Sequence, residues 1–182
     1  CAPGSYGPGG CKPDGGCQPG AACGAEGACA SGGCDGAGGC DGRGGCLDQS
    51  IIDQALDIDS VKVPSMDAEH AECARVLREL ASRRTRESLE AVLQCVGGHF
   101  EHEEALFTEY GFGAHSNAKL SAANSHAEDH KRILNKIRGC LQATSDALLP
   151  GDFILELLQD FHEHTTRHDS QYAEPLFAKG AR

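Results

Sequence analysis

Between residues 67 and 173 apolar side chains recur at intervals of three and four in four successive stretches, and the apolar face of every stretch is broken by histidine or a carboxylate. That spacing is one face of an α-helix, because residues three and four apart stack on the same side. Helices are predicted over about 67–83, 85–110, 118–144 and 152–173. Their inward positions are Cys73, Ala74, Leu77 and Leu80; Leu89, Val92, Leu93, Val96, Phe100 and Phe107; Ile133, Leu134, Ile137 and Leu141; and Ile154, Leu157, Leu158 and Phe161. Asp67 can cap the first helix, Gly111 and Gly113 end the second, and Pro150, Gly151 and Asp152 turn into the fourth. Nothing reads as a strand. Four amphipathic helices joined by short or moderate connections predict an all-α chain, an antiparallel up-down four-helix bundle.

The pattern is absent before residue 47, where Cys1, Cys11, Cys17, Cys23, Cys29, Cys34, Cys40 and Cys46 stand at intervals of mostly six in Gly, Ala, Asp and Pro. With almost no aliphatic or aromatic residues to bury, such a repeat cannot offset its ordering entropy, so a disordered Gly/Cys-rich segment is expected. Its thiols can take soft metal ions, but the C-x2-C pairs of closed zinc sites are missing. The chain thus divides into a low-complexity segment 1–46, a linker 47–65 and a bundle 66–178. It opens without Met or a signal-like segment, which suggests a processed chain or a fragment, and Cys1 could then be a lipidated terminus. The formal charge of −11, without a Lys/Arg cluster, argues against a nucleic-acid binder, and no apolar run reaches membrane-span length. The compartment stays open.

The polar interruptions carry the chemistry. His70 lies on the first helix, His99 and Glu103 four apart on the second, His126 and His130 four apart on the third, and His164 with Asp169 five apart on the fourth. Five residues of regular α-helix is roughly 140° of turn, so the last two are expected to grip different sides of a site. In an antiparallel hairpin, residues equally far from the loop are level. His70 and His99 are about 13 and 14 residues from theirs, Glu103 and His126 about 8 each, and His130 and His164 about 14 and 12. Five imidazoles and two carboxylates at one height in a core would be costly without cations. Seven ligands exceed one tetrahedral ion and suit two ions sharing carboxylates; the donor types suit iron, zinc, copper or manganese.

The segments MDAEHAEC (66–73), HFEHEE (99–104), HAEDH (126–130) and HTTRHDSQY (164–172) resemble, in order, the ligand pattern of the hemerythrin family over about 61–175. The resemblance implies two iron ions with an oxo or hydroxo bridge. His126, His130 and His164 would serve one iron and His70 with His99 the other, with Glu103 and Asp169 bridging. An open position on the second iron would take dioxygen or another small diatomic ligand. Two positions depart from the animal oxygen carriers: Asp160 stands where tryptophan is usual and Thr165 where isoleucine is usual. If they line the pocket they make it more polar, which favours sensing, scavenging or delivery over carriage; alternatively Asp160 faces solvent.

Of the remaining candidates, His102, His115, His162 and His168 are off register or in loops and are expected to be solvated. Tyr172 is expected to pack with a hydrogen bond, and Phe100, Leu106 and Phe107 to form core or pocket wall. Cys73 and Cys95 fall one turn from His70 and His99, nearly level on adjacent helices. They are either small apolar core residues or a redox-sensitive pair. Three functions follow: a dioxygen-binding protein; a di-iron enzyme that reduces nitric oxide or peroxide or oxidises ferrous iron; or a thiol metal store with a redox-sensing bundle.

Overall fold

A computed structural model describes residues 47–113, 117, 121–144 and 148–181. The predicted disorder of 1–46 and the placement of His115 lie outside them. Among the described residues all regular structure is helical: α1 (Gln49–Ala55), α2 (Pro64–Arg83), α3 (Arg86–Tyr110), α4 (Ala122–Ala143), α5 (Gly151–His164) and α6 (Ser170–Ala178), with a π-helical turn at Thr165–Asp169 between the last two. No described helix is long and apolar enough to cross a membrane.

The helix ends follow from local chemistry. Pro64 occupies the first turn of α2, where its missing N–H costs nothing, so the helix starts three residues before the expected cap. Asp67 instead accepts from the Val61 N–H and the Ser60 hydroxyl, tying the incoming loop to the helix. Thr85 and Ser88 form a reciprocal capping box on α3, and the Ser121 hydroxyl accepts from the Asn124 N–H at the start of α4.

Helix α3 ends at Gly111, in the left-handed region at φ 63°, and Gly113 repeats that conformation at φ 62°. A Cβ on Gly113 would stand 2.4 Å from the Ala123 backbone nitrogen. We expect Gly113→Ala to cost at least about 2 kcal/mol in urea unfolding, from left-handed strain plus a forced shift at the start of α4.

Helix α2 packs on α3 and α5, and α4 on α3 and α5, so these four close into a helical bundle. All the inward residues named from periodicity are buried, except Leu93 and Leu134, which pack partly buried against the core. Residues 47–56, assigned to a linker by their sequence, fold back. Asp48 caps α1, which packs on α5 and places Leu47, Ile52, Ala55 and Leu56 in the main core. That core contains Phe100 and Phe161; a second apolar cluster contains Val63, Met66, Phe107, Phe112, Tyr172 and Leu176.

Candidate metal centre

The polar residues lie between those two apolar layers. The Phe100 ring stacks on His130 at 3.9 Å between ring centres, and Phe107 lies 4.8 Å from His126 on the other side. His70, His99, Glu103, His126, His130, His164 and Asp169 are all buried. One ligand-type atom from each of Glu103, His126, His130 and His164 lies within 4.8 Å of the others, and the same holds for His70, His99, Glu103 and Asp169. Glu103 belongs to both groups. All seven residues singled out from the sequence are thus brought together, from α2, α3, α4, α5 and the π-helical turn.

Geometry within the cluster is that of atoms aimed at a common point. The Glu103 Oε2 atom is 3.1 Å from His130 Nε2, 3.6 Å from His126, 3.7 Å from His99 and 3.8 Å from His164. Asp169 Oδ1 is 3.0 Å from His126 and 3.1 Å from His164, and its Oδ2 is 3.1 Å from His70. Yet His70 Nε2, His99 Nε2, Glu103 Oε1 and both Asp169 oxygens are buried without an aligned hydrogen-bond partner. Orphaned buried nitrogens and oxygens at such contacts are expensive unless a cation collects their lone pairs. The donor set therefore fits metal ions.

Asp169 reaches the site by a route that a regular helix does not offer. The π-helical turn holds one more residue per turn, so His164 and Asp169 converge on the same side, with His164 Nε2 at 3.1 Å from Asp169 Oδ1. The expectation that they grip different sides is corrected accordingly. Thr165 is buried in this turn, and its hydroxyl donates to the His162 carbonyl.

Three carboxylates that the sequence reading passed over hold the imidazoles from behind. Glu69 lies 3.0 Å from His99 Nδ1, Glu104 lies 2.8 Å from His130 Nδ1, and Asp129 lies 2.9 Å from His164 Nδ1. Each is the chain neighbour of one cluster residue and braces a histidine of the next helix: the neighbour of His70 serves α3, that of Glu103 serves α4, that of His130 serves α5. With Nδ1 so engaged, Nε2 is directed inward as a ligand nitrogen. The signal was present as acidic residues directly beside His70, Glu103 and His130. Asp129→Ala is expected to lower metal affinity roughly 10- to 100-fold without loss of helix, measured by chelator competition.

Electrostatics agree. Burial opposes ionisation of Glu103, but His99, together with bonds from His126, His130 and His164, outweighs it and holds the carboxyl well below the usual range. Burial likewise works against a charged His164, yet Asp169, Asp129 and Glu103 raise its pKa well above the ordinary value; His99 and His126 move the same way, held up by their carboxylate neighbours. The family-model comparison decides what this arrangement belongs to: the hemerythrin HHE cation-binding domain matches residues 61–179. The chain belongs to that family. It matches no curated protein and no solved structure.

Against the hemerythrin pattern, the two departures can now be located. Asp160 does not enter the cluster: it pairs with Arg132 and Lys136 of α4, each at 2.6 Å. His102 shares Glu69 with His99, and His168, expected in solvent, is half-buried and stacked on His164 with ring centres 5.5 Å apart. The Tyr172 ring packs 5.2 Å from Phe107, while its buried hydroxyl has no aligned hydrogen-bond partner. Burial, with the charges of Glu103 and Asp169, pushes that phenol well above its usual range.

Proposed function

We propose that this chain holds a non-haem di-iron centre in an antiparallel up-down four-helix bundle and binds dioxygen there, for storage, delivery or sensing. The observation that carries the reading is that both carboxylates touch both histidine sets: Glu103 faces His99 as well as His126, His130 and His164, and Asp169 faces His70 as well as His126 and His164. Carboxylates so placed would bridge two ions. His126, His130 and His164 would hold one, and His70 with His99 the other. That three-to-two division would leave the second ion short of a protein ligand, where a small molecule would bind. An iron pair in such a set supplies redox-active metal beside an open site.

The chain's own residues keep that position defined. Phe100 and Phe107 shield the three-histidine side from water, and Glu69 fixes the orientation of the His99 ring. On the His70 side a cavity of ≈ 360 Å³, lined by Ile58, Asp59, Asp67, Ala71, Ala74 and Arg78 among others, reaches that histidine from the surface. Its acidic rim supports a second reading, an enzyme that oxidises ferrous iron, since carboxylates attract cations to the two-histidine side.

Metal analysis with an optical spectrum in air tests the centre. About two irons per chain, with near-ultraviolet oxo-to-iron bands that change with azide, are expected; protein purified with iron supplied that carries none overturns the proposal. Mixing the reduced protein with air separates binding from turnover, since an adduct reversed by vacuum supports binding and immediate ferric conversion with turnover supports the enzyme. The pH dependence has a definite sign. In the metal-free protein the carboxylates hold protons on His99, His126 and His164 above the ordinary histidine range. A metal ion must displace them. Affinity should therefore fall on acidification, beginning above the ordinary histidine range, up to roughly tenfold per pH unit for each proton displaced, as read by chelator competition.

A further inference from the structure

Among the described residues outside the metal cluster, a pair of nucleophilic side chains stands in contact. Cys73 on α2 and Cys95 on α3 place their sulfurs 3.6 Å apart. Cys73 is wholly buried in the main core, and Cys95 is half-buried at its edge. A disulfide needs about 2 Å between sulfurs, so side-chain rotation of the order of 1.6 Å closes the gap without parting the helices. Two thiols packed only as apolar filler have no need to meet, and each could face the core alone.

We infer that Cys73 and Cys95 are a redox-active dithiol that reduces hydrogen peroxide and comes to rest as a disulfide between α2 and α3. Access selects peroxide as the substrate. Of the two, Cys95 is half-buried and Cys73 is covered by the core, so the oxidant must be small. The division of labour follows from the same burial. Cys95 is the attacking sulfur, helped by its hydrogen bond from Cys73, which pushes the Cys95 thiol down to about 7. Cys73 keeps its proton, held far above the usual thiol range by that bond and by burial.

The chemistry balances. The Cys95 thiolate attacks one peroxide oxygen; the O–O bond breaks, hydroxide leaves and is protonated to water, and Cys95 becomes a sulfenic acid. The Cys73 sulfur then attacks the Cys95 sulfur. The S–O bond breaks, and the departing hydroxide leaves as water with the Cys73 proton. Two electrons pass from the two sulfurs to peroxide, giving one disulfide and two waters. A small-molecule thiol restores the pair by exchange at the half-buried Cys95 sulfur. The pair sits one turn from His70 and His99, so the crosslink would tie together the two helices that carry the two-histidine side of the centre.

Peptide mapping of the purified metal-loaded protein tests this. Trypsin cuts after Lys62, Arg75, Arg86 and Lys119, so the two thiols fall in separate peptides, 63–75 and 87–119. After a stoichiometric pulse of hydrogen peroxide and quenching with an alkylating reagent, a linked 63–75/87–119 pair should appear and vanish on reduction. It should form at least about tenfold faster than oxidation of Cys140, a half-buried thiol whose sulfur lies 3.6 Å from the Thr144 hydroxyl. In Cys73→Ser, a dimedone-trappable sulfenic acid should persist on Cys95. Full alkylation of both thiols after peroxide, linkage of Cys95 to any other cysteine, or a rate no greater than that of Cys140 overturns the inference. The first arm uses the unmodified protein, so a poorly folding variant does not mask the answer.

Discussion

Glu103→Ala is expected to empty both metal positions at once. Glu103 is wholly buried, and one of its oxygens lies between 3.1 and 3.8 Å from ring nitrogens of four histidines drawn from both ligand groups. Losing a ligand to one ion would spare the other; losing a shared carboxylate removes an anionic donor from each. Affinity should fall by more than about a hundredfold for both ions, beyond the range seen when a supporting residue is lost. Glu103→Gln keeps the volume and one oxygen but not the charge, and should fall between. Glu101→Ala, exposed on the same helix, is the control. Metal content after gel filtration decides the matter, with circular dichroism to show that the helices persist. Retention of one full equivalent by Glu103→Ala would mean that Glu103 serves a single ion and that the bridging geometry is wrong.

The seven-residue cluster was legible in the sequence because regular helices convert spacing into direction. His99 with Glu103, and His126 with His130, stand four apart, so each pair faces one way wherever the helix is placed. Loop-to-residue distances then set the height. Where the backbone leaves the regular α-helix the arithmetic fails, as it does for His164 and Asp169: nothing in TTRHD announces a π-helical turn, and the five-residue spacing misleads until that turn is seen. Glu69, Glu104 and Asp129 were missed for another reason. Their partners lie on the next helix, and which neighbour a flanking carboxylate meets depends on helix rotation, which periodicity fixes only coarsely. Helix α1 was lost because seven residues are too short for a periodic signal; it is held by the burial of Ile52 and Ala55 against the bundle. The same dependence on rotation settles Asp160. The α4 cations Arg132 and Lys136 face it, so of the two readings left open, the pocket-lining one fails and the carboxylate joins an ion-pair network between α4 and α5.

Arg84→Met should cost about 3 kcal/mol of stability while leaving metal content unchanged. Arg84 is the buried residue that ends α2, in the left-handed region at φ 54°. Its guanidinium donates through Nε at 2.9 Å and through Nη2 to the Leu149 carbonyl, and the Leu149 N–H returns a bond to the Arg84 carbonyl at 2.9 Å. A residue between α2 and α3 thereby pins the segment that leads into α5, 65 residues away along the chain. Two opposing terms decide the sign. Methionine relieves the desolvation of a buried charge, a gain that can make apolar replacements neutral when both partners of a buried polar pair are exchanged. Here only one partner changes. The Leu149 carbonyl, on a residue 1% exposed, loses charge-assisted bonds worth about 1.5–3 kcal/mol each and finds no water. The orphaned carbonyl outweighs the relief, and left-handed strain is the same for both side chains. Because this clamp is at the α2–α3 turn and His70 lies 14 residues earlier on α2, the loss should be equal in metal-loaded and metal-free protein. Urea unfolding in both states measures it. A loss confined to the metal-loaded form would show instead that the turn and the centre are coupled through α2.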